Sequence, residues 1–356
     1  MFSSKGKLFW KNKKVFVTGH TGFKGAWLCL ILNQLGAKIT GYSLQPDGSN
    51  VIYKESKIEK NIKNYYKDIR DYKKLNLALQ NSKPDIVFHL AAQPIVLDSY
   101  ELPKHTFEVN FNGTLNILEG IKKNKIKSSV IVTTDKVYKN LNKNIAFKEV
   151  DELGGDDPYS ASKSATEILV NSYNCSFFKK KIKVATVRAG NIIGGGDRAN
   201  RRILPDYFRS VKNKKKLKIR FPNAVRPWQF VLEPLIGYLM IAEANYRNKI
   251  PKKVQQNWNF SPIHYKNFSV SQIIEEINKY FHIPVIHDLK KSQLEKKFLK
   301  LSSSKAKKYI GWKPYYDIKK TIKKIVDWEL NYQAKKDIKI FSKLQITSYL
   351  ELLKWK

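Results

Sequence analysis

Apolar positions along the chain fall into short continuous runs separated by stretches with helical spacing. Lys14 to Gly19 (KVFVTG) is a β-branched run, and Lys24 to Gly36 (KGAWLCLILNQLG) is helical and closes on a glycine. Lys38 to Ser43 (KITGYS) reads as a second strand, and Asp71 to Asn81 as a helix. Pro84 to Ala91 (PDIVFHLA), Ser128 to Asp135 (SSVIVTTD) and Lys183 to Gly190 (KVATVRAG) read as further strands. Each run is too continuous for a sheet that is wet on one side. The pattern therefore predicts a parallel sheet covered on both faces. Strand–helix alternation of this kind predicts a doubly wound α/β unit.

After Arg188 the pattern turns irregular and richer in Pro and Gly. The reading divides the chain into a first α/β unit, residues 1–187, and a smaller, interrupted substrate-side unit, residues 188–227 and 257–330. Trp228 to Ala244 (WQFVLEPLIGYLMIAEA) looks like a strand and helix returning to the first unit, which takes 228–256 back into it. Residues 331–356 are set aside as a helical extension.

Composition narrows the function classes. Hydrophobic residues make up 42% of the 356 positions, which suits a globular chain. No apolar run reaches bilayer length, and the lysine-bearing start MFSSKGKLFWKNKK lacks a signal-peptide core. The two cysteines, Cys29 and Cys175, each sit in a helix-like segment, so a reducing, cytoplasmic setting without a disulfide is expected. With no clustered histidines, no metal site is expected either. The formal charge of +37 raises nucleic acid or an anionic membrane as partners. The positives are mostly lysines spread along the whole chain, without a zinc-finger, RRM or basic-helix pattern. The charge is read as composition bias that attracts phosphate-bearing small molecules, with no nucleic-acid partner.

The candidate chemistry sits at strand ends. VFVTGHTGFKG puts Gly19, Gly22 and Gly25 between the first strand and the first helix. Glycines there permit a tight turn and let backbone approach a pyrophosphate at the helix N-terminus. A dinucleotide site usually has an acid at the end of the second strand, but that strand ends in Ser43, so the choice between NAD and NADP stays open. Asp68, in KDIR, suits an adenine contact, and a helix N-cap is almost as good a reading of Asp68 or Asp71. DPYSASK places Tyr159 and Lys163 four apart, on one helix face. A cation beside a phenol lowers its pKa, which equips Tyr159 to exchange a proton with a substrate hydroxyl. Asn191 follows a strand, and Arg202 and Arg226 suit a diphosphate, which a guanidinium binds with two donors. His89 reads as a hydrogen-bonded core residue, whereas His20 lies inside the phosphate turn.

The glycine turn, HLAAQP (His89 to Pro94), TTDK (Thr133 to Lys136) and Tyr159-x-x-x-Lys163 together resemble the extended short-chain dehydrogenase/reductases. Within them the chain is similar to the nucleotide-sugar 4,6-dehydratases, and to their CDP-glucose branch through FVTGHTGFKG, TDKVY, VRAGNIIGGGD, ILPD, RPWQFVLEPL, WNFSP and IGWKP, in that order. The likeness runs from about Phe9 to Trp328. It implies a Rossmann-type fold, bound NAD, a homodimer, a nucleotide-sugar substrate, and redox-neutral conversion of CDP-glucose to CDP-4-keto-6-deoxyglucose for deoxysugar synthesis. It implies catalytic roles for Thr134 (orienting the sugar), Asp135 (acid at the 6-hydroxyl), Lys136, Tyr159 (base at the 4-hydroxyl) and Lys163 (nicotinamide ribose). Lys136 is either the base at C5 or an electrostatic stabiliser. The implied cofactor contacts are Gly19, His20, Thr21, Gly22, Phe23, Lys24, Gly25, Asp68, Ile69, Ala91, Ala92, Gln93, Tyr159 and Lys163. Gln93, Asn191, Arg202 and Arg226 are the implied substrate contacts. The chain departs from the branch at Thr134, where Ser is usual, at Phe230, where His is frequent, and at Leu97-Asp98, where an arginine is usual.

Overall fold

The computed structural model describes residues 6–48, 50–178, 182–262, 268–287, 296 and 298–354. Its strands are β1 (Lys14–Thr18), β2 (Lys38–Ser43), β3 (Lys63–Tyr66), β4 (Ile86–His89), β5 (Ser128–Val132), β6 (Lys183–Ala189), β7 (Ile192–Ile193), β8 (Leu217–Ile219), β9 (Gln229–Phe230), β10 (Asn257–Phe260) and β11 (Val285–His287). Seven of them form one parallel sheet in the order β10-β6-β5-β4-β1-β2-β3. This is the Rossmann-type doubly wound order with one strand added at the β6 edge. The strand order reverses between β1 and β4, so a crevice opens there at the carboxyl ends.

The continuous apolar runs follow from this burial. Val15 and Val17 of β1, Ile86 and Phe88 of β4, and Val130 and Val132 of β5 enter one core with the helices Phe23–Gln34 and Leu232–Tyr246. The alternate residues Phe16, Val87 and Ile131 enter a second core with the helices Tyr72–Ser82, Gly113–Asn124 and Pro158–Ser176. Both faces are dry, so neither set of alternating positions is polar. Among the described residues no helix is long and apolar enough to cross a membrane.

The sequence reading placed two segments differently. The strand expected to return at Trp228 is only Gln229–Phe230, and it pairs with β7 in a small separate sheet. The residues that do join the large sheet are Asn257–Phe260, which the reading had put in the second unit. β10 pairs with β6 from Asn257 opposite Thr186 to Phe260 opposite Ala189, and its Trp258 and Phe260 are fully buried. The C-terminal stretch is not loose. Tyr349, on the helix Ile338–Leu352, donates to Glu233 Oε2 (2.6 Å) on the helix packed under β5 and β6.

A buried ion pair ties the sheet to the helix Pro158–Ser176. Arg188, on β6, donates from Nε (2.9 Å) and Nη2 (2.8 Å) to the two oxygens of Glu167, and the side chains are 1% and 2% exposed. Thr133 and Thr186 donate to the same carboxylate at 2.5 and 2.6 Å. Tyr138 accepts from Arg188 Nη1 (2.7 Å) and donates to Asn259 Oδ1 on β10 (2.8 Å). Removing one partner of such a pair leaves a buried charge uncompensated. Arg188→Met is expected to lower the unfolding free energy by about 3–5 kcal/mol, read as a reduced urea midpoint at unchanged slope.

Candidate active site

A cleft of about 1130 Å³ opens at the carboxyl ends of β1, β4, β5 and β6. One end is built from the glycine turn. Gly19 has φ +69°, and a Cβ there would stand 2.7 Å from Ala91 N; a Cβ on Gly25 would stand 2.1 Å from Gly19 O. Only glycine lets the helix start sit this close to the strand end. Gly22 stands at the N-cap of Phe23–Gln34 without a side-chain cap, so the first helical amides are left for a ligand. Unpaired amides and the positive end of the helix dipole suit a pyrophosphate. Thr21, Phe23, Lys24, Asp68, Ile69, Ala91, Ala92 and Gln93 line the same cleft. This cradle fits a dinucleotide.

Some expected contacts are placed differently. The His20 ring lies outside the cleft lining. It packs against Gly41, stacks near Tyr66 (24° between planes) and bonds Asn64 Oδ1 (3.0 Å). Burial pushes its pKa down to about 4, so it is a neutral prop beneath the turn. Asp68 is engaged by Arg70 Nη2 at 2.7 Å, which holds its carboxyl below the usual range, while the helix cap is Asp71, accepting from Lys74 N. Gln93 spends its amide on Ile95 and Thr106, shaping the loop that carries it. His89 is the expected core histidine, bonded to Thr18 (2.7 Å) and Thr114 (3.1 Å).

The catalytic candidates converge at the end of β5. Thr134 caps the short turn Asp135–Val137, accepting from Lys136 N (3.3 Å) and donating to Asp135 Oδ1 (3.0 Å). Its hydroxyl also acts on the Tyr159 phenol, in the direction that lowers the phenol's pKa. Asp135 is 3% exposed, and burial pushes its pKa up against the pull of Lys136. Its Oδ2 is buried and has no hydrogen-bond partner among the described residues. Lys136 lines the cleft beside it.

Tyr159 corrects an expectation. Its pKa is pushed up to about 12, by burial first and further by Asp135. Lys163 does not bring it down, because its ammonium turns to Val132 O (3.2 Å) and is itself pushed down to about 7 by burial and by Lys24. Lys24 falls to about 8 through burial and Arg202, with Asp135 acting the other way. Its charge therefore belongs to the catalytic cluster as much as to the glycine turn. Asn191, Arg202 and Arg226 all line the cleft. Arg202 Nη1 meets Asp197 Oδ2 at 3.0 Å, and Arg226 is 6% exposed with Asp135 within its field. Sequence reasoning missed Glu167, Arg188 and Asp197. The spacing Tyr159, Lys163, Glu167 on one helix face was the available signal for Glu167.

A sequence profile of the family described as GDP-mannose 4,6 dehydratase matches residues 16–325. The chain belongs to this family. It is 38% identical over 353 residues to CDP-glucose 4,6-dehydratase of Salmonella typhimurium, covering 97% of this chain and 98% of that one. Among solved structures, an epimerase from Methanothermobacter thermautotrophicus superposes with a TM-score of 0.80 at 21% identity, covering 92% and 96% of the two chains. UDP-glucose 4-epimerase from Thermotoga maritima, solved with UDP-glucose, gives 0.77 at 21% identity, covering 90% and 99%. These two likenesses speak for the fold this dehydratase family member shares with them.

The buried lysine has a consequence for stability. The folded chain releases the Lys163 proton near pH 7, whereas an unfolded chain holds it to about 10.5. The unfolded state thus binds more protons across that window, and stability rises with pH through it. Lys163→Met lacks this contribution. Its unfolding free energy, compared with wild type at pH 6 and pH 9 by urea titration, is expected to exceed wild type more at pH 6 than at pH 9.

Proposed function

We propose that the protein removes water from CDP-D-glucose to give CDP-4-keto-6-deoxy-D-glucose, using NAD held in the same cleft. The observation that carries this reading is Asp135, a buried carboxyl with raised pKa and an unpartnered oxygen, bonded by the Thr134 hydroxyl at the same end of the cleft as Tyr159. Burial favours the protonated form of a carboxyl, the form that can donate a proton to a departing hydroxyl. The choice of CDP-glucose is supported by the likeness to the Salmonella enzyme.

In this reading the amides of the glycine turn hold the cofactor pyrophosphate, and Lys163 stands beside the nicotinamide ribose. NAD held there would supply the acceptor and donor of the hydride exchanged with C4 and C6, and its positive charge would lower the Tyr159 pKa. Tyr159 takes the proton of the 4-hydroxyl while Thr134 orients the sugar. The resulting C4 carbonyl acidifies C5. Lys136 then removes the C5 proton, or stabilises the enolate formed when it leaves. Asp135 protonates the 6-hydroxyl as it departs as water. Arg202 and Arg226 meet the diphosphate.

Exposed apolar side chains support a homodimer: Phe107 (38%) and Ile168 (61%) on helices that pack together, and Leu102 (56%) just before the first of them. Light scattering at micromolar concentration is expected to give twice the chain mass, and a monomer mass contradicts the dimer. The activity is tested by incubation with CDP-, dTDP-, UDP- and GDP-glucose, with products read by mass spectrometry. CDP-glucose is expected to lose water without net cofactor reduction, and in deuterated water the product gains one deuterium at C5. Unchanged mass points to epimerisation, and water loss from another nucleotide alone refutes the CDP assignment.

A further inference from the structure

The loop at residues 194–202 forms one wall of the cleft, where Asp197 and Arg202 line it. Its other side is braced by the C-terminal helices. Gly195 lies so close to Trp328 that a Cβ would stand 2.1 Å from the indole ring. Trp27 Nε1 donates to Gly195 O (3.1 Å), and Trp328 Nε1 donates to Ser342 Oγ (3.0 Å) on the last helix. The next residue, Glu329, takes Arg198 Nη2 at 2.7 Å to each carboxylate oxygen. These side chains are 16% and 4% exposed, and neither residue lines the cleft. The Arg198 guanidinium also lies over the rings of Phe208 (5.7 Å) and Tyr332 (5.5 Å).

From Arg198 the chain leads directly to the ligand side. Asp197 Oδ1 accepts from Ala199 N (3.0 Å), and its Oδ2 accepts from Arg202 Nη1 (3.0 Å). Arg209 Nη1 donates to Arg198 O (2.7 Å). On the opposite flank Arg201, at φ +62°, reaches Asp98 (2.7 Å) and Glu101 (2.8 Å). Those partners are 40% and 61% exposed, so solvent screens the pairs and they fix little. The enclosed pair Arg198–Glu329 is the charged contact that joins the backbone bonds at Gly195 and Arg198 in holding the loop in place.

We propose that Glu329 is a positioning residue for nucleotide-sugar binding. By gripping Arg198 from behind, it sets the loop and thereby the place of the Arg202 guanidinium at the diphosphate. This rests on the proposed function for the identity of the ligand. A misplaced guanidinium loses aligned hydrogen bonds to a diphosphate while Asp135 and Tyr159, carried by the end of β5 and the helix Pro158–Ser176, stay put, so binding suffers before chemistry does.

The test compares Glu329→Gln with wild type, each purified with its cofactor. Calorimetry with CDP is expected to show affinity weakened about 10- to 100-fold. Cofactor content and kcat should stay near wild type, KM for the nucleotide sugar should rise, and amide exchange across 194–202 should accelerate. Exchanging the charges, R198E with E329R, should recover most of the CDP affinity, which a general loss of packing would not permit. If Glu329→Gln fails to fold, Glu329→Asp keeps the charge at shorter reach and should move KM in the same direction. A folded Glu329→Gln that binds CDP as wild type does, or that loses kcat rather than KM, overturns the positioning role. Wild type that binds none of CDP, dTDP, UDP and GDP overturns the ligand reading instead.

Discussion

The Glu167 carboxylate is the point on which the catalytic geometry depends. Burial alone would raise its pKa, but Arg188 and the hydroxyls of Thr133 and Thr186 hold it below the usual range, ionised in the interior. A buried pair of this kind adds little or nothing to stability over a well-packed apolar replacement, yet it cannot be half removed. Its value lies in registry. Glu167 belongs to the helix that carries Tyr159 and Lys163, while Thr133 immediately precedes Thr134 and Asp135. One carboxylate therefore fixes the helix face against the strand end, and the phenol, the hydroxyl and the acid arrive together.

The cleft is then defined by an imbalance of charge. Lys24, Arg202 and Arg226 line the cleft with Asp135, Lys163 lies within the field of Lys24, and burial already lowers the two lysines. Bringing further cations into a desolvated space is unfavourable unless anions follow. A dinucleotide and a nucleotide sugar each carry a diphosphate, and both would relieve this repulsion. The large formal charge of the chain contributes long-range attraction for the same ligands. The short-range pattern, rather than the total, selects where they sit.

What was legible in the sequence was local. The glycine turn, the buried strands and the four-residue spacing of Tyr159 and Lys163 each depend on neighbours a few positions away, and the structure places them where periodicity does. β3 was missed because KNYY sits at the sheet edge with half-buried residues and no apolar run. β10 was misassigned because its pairing with β6 joins residues about seventy positions apart. The direction of the His20 ring, beneath the turn rather than into the cleft, is set by Gly41 and Asn64 on other strands. The ion pairs Glu167–Arg188 and Glu329–Arg198 likewise join distant segments, so no window of sequence reveals them. The Tyr159 pKa was misjudged for the same reason: spacing gives the face that a lysine shares, and tertiary contacts decide which way its ammonium points.

In the proposed reaction one cleft removes a hydride from C4, expels water across C5 and C6, and returns the same hydride to C6. The most direct measurement follows CDP-glucose carrying deuterium at C4 through a single turnover in ordinary water, with the product examined by NMR. The account predicts deuterium at C6 of the 4-keto-6-deoxy product. A product without the label, or a sugar that keeps deuterium at C4 with its 6-hydroxyl intact, would contradict it.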